Sequence, residues 1–478
     1  MSDELQSIQK GSTVVFTIEK LAFGGNGIGR VNGMVVFVRG ALPGQKVEAL
    51  ITKKRKGYAE AKMLKTLIPS PNAVEPQCKH FGECGGCLFQ NLDYKVQLSA
   101  KAEQVRESLA HIGGFDAEAI VLPAIESPAQ YHYRNKMEYS FGRQRWVTSD
   151  EIKLDNLDKP KDFALGLHVR GRYDKVLDID ECHLQSSQSA LVLHFVRQFA
   201  LKSEFPVYST IDHTGFWRNL VIREGKKTGQ VLLNVVTSQV EGGVELIQTL
   251  GKQLAQQFPE ITTMTHNINS RKGQTAVGEV EQVVFGPGVI QDKIGDRIYQ
   301  ISANSFFQTN TLAAEKLYQQ VVDLASFGGD ELVYDLYAGA GTISIYISAL
   351  VKEVVGFELI TDAIKDAQLN CGLNEVINCH FVHGDVRREL HAENALKKWG
   401  RPDVVIIDPP RAGMHEDVIR QIVSLKPQKI VYISCNPATF ARDCKILCDN
   451  QFNLAKVQPV DMFPMTPHIE LVGLLMRS

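Results

Sequence analysis

A cysteine stands at position 435 in VYISCNPATFARD, where the apolar run Val431, Tyr432, Ile433 gives way to Ser434, Cys435, Asn436 and Pro437. The run reads as a short buried strand, and a turn containing proline cannot continue it. A thiol at that boundary leaves the core as the chain reaches open space. It is a nucleophile if its surroundings ionise it. The plainer reading is a small apolar residue closing a strand. Other apolar runs of the same region also end in groups with chemistry. DLYAGAGT, Asp335 to Thr342, follows a strand and precedes a helix, and Gly339 and Gly341 let the backbone approach a ligand there. The next run ends in Glu358, seventeen residues after Gly341, where a carboxylate can bond ribose hydroxyls. Gly384 and Asp385 end a third run, within reach of an adenine edge, and DPPRAG, Asp408 to Gly413, ends a fourth on a rigid pair of prolines. Acidic residues at the ends of four successive strands are hard to explain as core packing. They suit a ligand with ribose, adenine and an ammonium group, such as S-adenosylmethionine. No GxxxxGK loop accompanies them, which argues against a nucleoside triphosphatase.

A second set of groups lies far upstream. Cys78, Cys84 and Cys87 in CKHFGECGGC have the spacing C-x5-C-x2-C, and three thiols in ten residues favour a metal site over chance burial. Cys182, in DIDECHL, is the natural fourth ligand, and four thiolates are compatible with either zinc or a [4Fe–4S] cluster.

The elements that must position these groups divide the chain by texture. At ~150 residues per domain, 478 residues suggest three domains, and 44% apolar with 22% charged residues is ordinary globular composition. Residues 1–70 carry eleven Lys/Arg against five Asp/Glu, a net of +6, so the remainder carries -8 of the overall -2. A basic module on an acidic body points to a polyanionic partner. TVVFTI, MVVFVRG, KVEALIT and YAEAKML, broken by GGNGIG, NG and PG, read as short strands of a small β-barrel. That barrel presents Lys53, Lys54, Arg55 and Lys56 at one edge. Prolines at 69, 71 and 76 mark a linker, and residues 71–295 form a strand-rich central domain that opens with a helix stopped by Gly113 and Gly114. Residues 296–478 alternate strands and helices, the pattern of a parallel sheet. No apolar run reaches ~18 residues, so no membrane span is expected. The acidic, polar start MSDELQSIQK lacks the apolar core of a secretion signal, and nine cysteines are then expected as free, metal-bound or catalytic thiols of a cytoplasmic protein.

DLYAGAG, DPPRAG, SCNPATFARD and HIELV, in this order, resemble the RNA uracil-5-methyltransferases that use S-adenosylmethionine, and the resemblance covers essentially the whole chain. It implies an α/β multidomain protein: an N-terminal oligonucleotide-binding-like TRAM barrel, a central β-rich domain with an iron–sulfur site, and a C-terminal Rossmann-like methyltransferase domain. DPPR paired with SCNP is specific, since amino-directed methyltransferases have an aromatic residue where this chain has Arg411. The carry-over makes Cys435 the nucleophile and Glu470 the base. Gln308 in NSFFQTN, Tyr337, Glu358 and Asp408 line the cofactor, with Thr342 and Asp385 near it. Threonine stands at 342 where some relatives have asparagine. Phe306 contacts the target base, while His468 tunes the base or orients its turn. Cys78, Cys84, Cys87 and Cys182 hold a [4Fe–4S] cluster, structural or RNA-positioning rather than of the radical type.

The chemistry fits those types. A thiolate added to C6 of uracil makes C5 nucleophilic toward a methyl sulfonium, and a base must then remove the C5 proton. Arg411 and Arg442 are the candidate positive neighbours of the thiol. Arg134, with Asn135 and Lys136, is a candidate RNA contact alongside Lys53–Lys56. The expected partner is RNA, 23S ribosomal RNA first and transfer RNA second, with the enzyme a monomer that needs neither a protein partner nor a membrane. The competing classes are a non-catalytic RNA-binding or ribosome-assembly factor and a cytosine-5 or small-molecule methyltransferase.

Overall fold

The computed structural model describes residues 8–154, 156–273 and 275–478. The opening residues 1–7, part of the stretch read above as lacking a secretion signal, lie outside them. Five strands, β1 (Thr13–Leu21), β2 (Asn26–Val31), β3 (Met34–Arg39), β4 (Lys46–Lys54) and β5 (Tyr58–Ile68), close into a barrel in the order β1-β2-β3-β5-β4. Alternation drives it: Val14, Phe16, Ile18, Val36, Val38, Val47, Ala49 and Ile51 point inward and form its core. Of the glycine-rich GGNGIG, Gly24 (φ 89°) and Gly25 (φ 87°) form the expected break between β1 and β2, while Asn26–Gly29 already belong to β2. A Cβ on Gly27 would stand 2.8 Å from the Ala41 carbonyl, and one on Gly29 only 2.4 Å from that of Thr17. Those glycines mark close backbone approach inside a strand rather than a turn.

One end of the barrel docks on the rest of the chain through Leu21, Leu42, Phe89 and Leu92, helped by the Gln104 amide on the Leu21 and Ala22 carbonyls. The β4–β5 hairpin with Lys53–Lys56 lies at the opposite end, since Leu50 of β4 pairs with the first residue of β1 and Lys46 with Thr17.

The central sheet has seven strands, β6 (Lys136–Gly142), β7 (Ala164–Val169), β8 (Arg172–Asp178), β9 (Trp217–Glu224), β10 (Val231–Thr237), β11 (Ile261–Ile268) and β12 (Val280–Phe285), ordered β12-β11-β10-β9-β6-β7-β8. Its pairs are antiparallel except β10–β11, whose crossover is the helix Gly243–Gln257. That helix and Ser187–Lys202 supply Val192, Val196, Leu250 and Leu254 to a core with Tyr139, Trp217 and Leu233.

A hairpin, β13 (Val289–Ile294) and β14 (Arg297–Ser302), leads into the last sheet. This comprises β15 (Leu332–Leu336), β16 (Glu353–Glu358), β17 (Cys379–His383), β18 (Val404–Ile407), β19 (Lys429–Ser434), β20 (Phe452–Val460) and β21 (Glu470–Arg477), ordered β17-β16-β15-β18-β19-β21-β20. The first five are parallel and β21 runs antiparallel to β19 and β20. Each face is covered by helices, as a buried parallel sheet requires. Strand order reverses at β15, and that switch point is where such sheets bind ligands. The helix Tyr94–Ser108 packs into this C-terminal core through Val105, and the chain after it pairs Val121 and Ile125 with Val457 and Val460 of β20. Among the described residues no helix is long and apolar enough to cross a membrane.

Candidate active site

The carboxyl edge of the last sheet gathers residues far apart in sequence. Register places Leu336 beside both Phe357 and Ile407, Ile407 beside Tyr432, and Ser434 beside Leu471. The residues one step beyond those pairs are Tyr337, Glu358, Asp408, Cys435 and Glu470. Because β21 runs against β19, its first residue, Glu470, meets the strand end that carries Cys435. Cys435 sits on the strand-to-helix turn. Asn436 caps the following helix, Pro437–Cys448, by accepting the Ala438 N–H at 3.1 Å, and Pro437 occupies its first turn, where a missing N–H is harmless. The Asn436 amide also donates to the Arg411 carbonyl at 3.1 Å, tying the cysteine turn to the DPPR turn.

The electrostatics of this edge are those of acids held out of water. The Cys435 thiol is pushed up to about 11, by burial first and then by Glu470, with Arg411 pulling it down. Glu470 is held well above the usual carboxylate range by burial and by Asp408, again opposed by Arg411. Asp408 is pushed up to about 7 by burial and Asp335, and Asp335 likewise to about 7 by burial, against the Ser344 hydroxyl that donates to it at 2.5 Å. Arg411 is therefore the positive neighbour of the thiol. Arg442 is not: it pairs with buried Asp443 at 2.6 Å and holds the Ala412 carbonyl at 3.0 Å, so it braces the turn. His468 is pushed down to about 4 by burial and nearby Arg411, so it is neutral near pH 7.

The glycine turn is built for close approach. Tyr337 (φ 65°), Gly339 (φ 55°) and Gly341 (φ 71°) are all left-handed, and nothing lies within 4 Å of where a Gly339 side chain would start. Glu358 secures the turn by accepting the Gly339 N–H at 2.9 Å and the Ile360 N–H at 2.8 Å. Asp335 is the edge carboxylate to which sequence assigns no role of its own. Its Oδ1 is buried without a hydrogen-bond partner. An orphaned carboxylate oxygen, a cleared glycine turn and a run of acids fit the ribose and ammonium groups of S-adenosylmethionine. Thr342 opens the helix Thr342–Ile347 and shares its hydroxyl with Tyr318 at 2.8 Å. Asp385, at the N-terminus of Val386–Glu389, is clamped by Arg387 at 2.7 Å and acts electrostatically on Tyr337.

The loop before the helix Thr311–Ala325 carries Phe306 and Gln308. Phe307 is buried, whereas Phe306 is 70% exposed. Arg223 of β9 binds the Ala303 and Ser305 carbonyls, and the Asn135 amide donates to the Gln308 carbonyl and the Thr311 hydroxyl, each at 2.8 Å. Asn135 is thus a buried brace of this loop rather than a free RNA contact. Lys136 is ion-paired with Glu138, and Arg134 donates to the Lys136 carbonyl. Lys53 pairs with Glu60 at 2.7 Å, while Lys54, Arg55 and Lys56 are exposed at the far end of the barrel.

Cys78, Cys84, Cys87 and Cys182 line one cavity of about 650 Å³ with Arg134 and His468. Burial pushes Cys84 up to about 11 and Cys87 to about 12, and the thiols raise one another further. Among the described residues no three His, Cys, Asp or Glu side chains are arranged as ligands of a metal ion.

Comparison with known proteins agrees with this arrangement. Residues 279–478 match the model of the tRNA (uracil-5-)-methyltransferase family, and residues 8–64 match the TRAM domain. The chain is 40% identical to an uncharacterized RNA methyltransferase of Chlorobaculum tepidum, over 98% of this chain and 97% of that one. It is 38% identical to another of Porphyromonas gingivalis, over 96% and 99%. Among solved structures, Pyrococcus abyssi tRNA (uracil-54, C5)-methyltransferase in complex with S-adenosyl-L-homocysteine superposes with a TM-score of 0.73 at 29% identity, covering 97% of this chain and 100% of that one.

Proposed function

The chain belongs to the S-adenosylmethionine-dependent RNA (uracil-5-)-methyltransferases, and from that premise we propose that it methylates C5 of a uridine in 23S ribosomal RNA through a covalent Cys435–C6 adduct. The observation that carries the reading is the pairing of β19 with β21, which brings a thiol and a buried carboxyl to the same edge of the sheet. Cys435 adds to C6 of a uridine lifted out of its stack, as base-modifying enzymes require. Addition gives C5 the nucleophilicity that an intact uracil lacks. S-adenosylmethionine, when bound, supplies the methyl group that C5 takes. Tyr337, Gly339, Gly341, Glu358 and Asp408 would hold it, with Gln308, Thr342 and Asp385 near. Glu470 then takes the remaining C5 proton, and the thiolate leaves. A carboxyl held above its ordinary range has the basicity this step asks for. Asp335 and Asp408 would supply negative charge to the cationic end of the ligand. Phe306, exposed on the loop before the helix Thr311–Ala325, stacks on the extruded base, and Arg134 and the Lys53–Lys56 hairpin engage phosphates.

Cys78, Cys84, Cys87 and Cys182 would hold a [4Fe–4S] cluster. Four soft thiol donors around one cavity support that reading over an oxygen-loving ion. The protein works as a cytoplasmic monomer. The likeness to the Pyrococcus abyssi enzyme favours a second reading, transfer RNA as substrate. Methyl-labelled S-adenosylmethionine with purified 23S ribosomal RNA and with bulk transfer RNA, followed by digestion to nucleosides, separates the two. Label in 5-methyluridine from ribosomal RNA supports the proposal. Label only from transfer RNA replaces it, and label from neither, with RNA still bound, leaves a binding factor.

A further inference from the structure

The proposed base enters β21 from a segment that is unusual for a loop. Residues 461–469 connect β20 to β21, yet Asp461, Met462, Met465, Thr466 and Ile469 are buried. Connecting segments normally run over the surface because buried backbone polar groups must find partners. Some partners lie within the loop and Asn310 donates to the Met462 carbonyl at 2.9 Å, but the groups around Met465 are met from residues 88–133. The Met465 carbonyl accepts the N–H groups of Leu88 at 2.8 Å and Phe89 at 3.1 Å. Met465 N donates to Gln97 Oε1 at 3.2 Å, and the same amide's Nε2 donates to the Phe89 and Leu92 carbonyls at 2.9 and 2.8 Å. Tyr133 donates its hydroxyl to the Pro464 carbonyl at 3.0 Å. Lys101 binds the Phe463 carbonyl at 3.1 Å and Asp461 at 2.7 Å, with both side chains of that ion pair inaccessible to solvent. Met465 is held in the left-handed region at φ 65°, a conformation that persists for such a residue only where its surroundings over-determine it.

The location of these partners matters. Leu88 directly follows Cys87, and Thr466 and His468 of the same loop form part of the wall around the four thiols. The cysteine segment and the loop leading to Glu470 are thus one hydrogen-bonded body, with Gln97 and Tyr133 as its side-chain fasteners. Both fasteners are fully or almost fully buried, and each satisfies a backbone group that otherwise has no water to turn to.

We propose that Gln97 and Tyr133 are positioning residues for Glu470: they fix the Met465 turn so that the carboxyl meets the C5 proton of the adduct. The inference rests on Glu470 being the base. A displaced base leaves the first step alone and slows only the last, so a methylated protein–RNA adduct should build up on ordinary uridine RNA. Misplacing a reacting group by ~1 Å costs on the order of a hundredfold in rate.

The test uses the full chain with S-adenosylmethionine and substrate RNA, resolved on a denaturing gel. Tyr133→Phe deletes one hydroxyl without changing shape, and Gln97→Leu removes the amide's bonds to Met465 N and to the Phe89 and Leu92 carbonyls. Cofactor binding by calorimetry and the melting temperature report folding, and Tyr133→Phe carries the test if Gln97→Leu does not fold. The expected result is a ten- to hundredfold loss of turnover, adduct accumulating on uridine RNA, and a rate of adduct formation on 5-fluorouridine RNA within twofold of the parent. Turnover lost without adduct, both steps slowed alike, or no change in either variant overturns the proposal. Glu470→Gln separates the two claims. If it traps adduct while the fasteners do not, the positioning role fails and the base stands. If it traps none, the base assignment itself fails.

Discussion

Glu470→Gln should make Cys435 more reactive while it stops turnover. The thiol is pushed up to about 11 by burial and next by the Glu470 carboxylate. At pH 8 such a thiol is ionised in roughly one molecule in a thousand, against about one in ten for a thiol near 9. Removing a like charge beside it is worth on the order of one pKa unit, about 1.4 kcal/mol. The sign follows from the charge: a carboxylate disfavours the thiolate, so the neutral amide lowers the midpoint. The midpoint stays above an ordinary thiol's because burial remains. Arg411→Met should move it the other way, because Arg411 is the group that favours the thiolate. The assay is alkylation by iodoacetamide from pH 7 to 11, with the Cys435 peptide followed by mass spectrometry so that the other thiols do not interfere. Below about pH 9, wherever the parent's Glu470 is ionised, Glu470→Gln should alkylate up to about tenfold faster, the ratio closing toward pH 11. A midpoint that stays put or rises in Glu470→Gln, or falls in Arg411→Met, refutes the electrostatic account of this edge.

Two further outcomes are expected. Asp335 and Asp408 are both held up to about 7, so the folded chain keeps protons that the unfolded chain releases from about pH 4 upward. Their contribution to ligand-free stability is therefore lost as pH rises from about 4 to 7, against the opposite contribution of His266 and His468, which burial holds down to about 4, so Asp408→Asn should be more stable at pH 8 relative to pH 5 than the parent is. Thermal melting at pH 5 and 8 checks it, and an unchanged difference between the two contradicts it. Replacing Lys54, Arg55 and Lys56 by alanine should weaken RNA binding and reduce the salt slope by up to about 0.7 per lost phosphate contact. Calorimetry should find cofactor affinity unchanged, because the hairpin lies at the barrel end away from the sheet.

Sequence reading reached the site because its groups stand at strand ends. Cys435, Asp408 and Glu358 each adjoin an apolar run, and a parallel sheet lines up such positions at one edge; Glu470 came from the family resemblance, and it starts the antiparallel β21. It failed where meaning depends on a partner remote in the chain. Gly27 and Gly29 look like a turn until the Ala41 and Thr17 carbonyls press on them. Asn135 looks like an RNA contact until the Gln308 carbonyl and Thr311 claim its amide. Arg442 looks as good a neighbour for the thiol as Arg411, yet the adjacent Asp443 captures it. The helix Ser187–Lys202, within a stretch that reads as strand-rich, did carry a signal in Val192, Val196 and Ala200, spaced for one helical face. The dependence of the 461–469 loop on residues 88–133 had none, since its bonds span more than 300 positions.

The central claim is a covalent bond between Cys435 and C6 of a uridine. The most direct measurement is incubation of the protein and S-adenosylmethionine with ribosomal RNA containing 5-fluorouridine, followed by a denaturing gel. Fluorine at C5 cannot be taken by Glu470 as a proton is, so the adduct should persist as a shifted protein–RNA band that disappears in Cys435→Ala. A band that survives in Cys435→Ala, or no band with ribosomal or transfer RNA from a protein that binds both RNA and cofactor, would contradict the account.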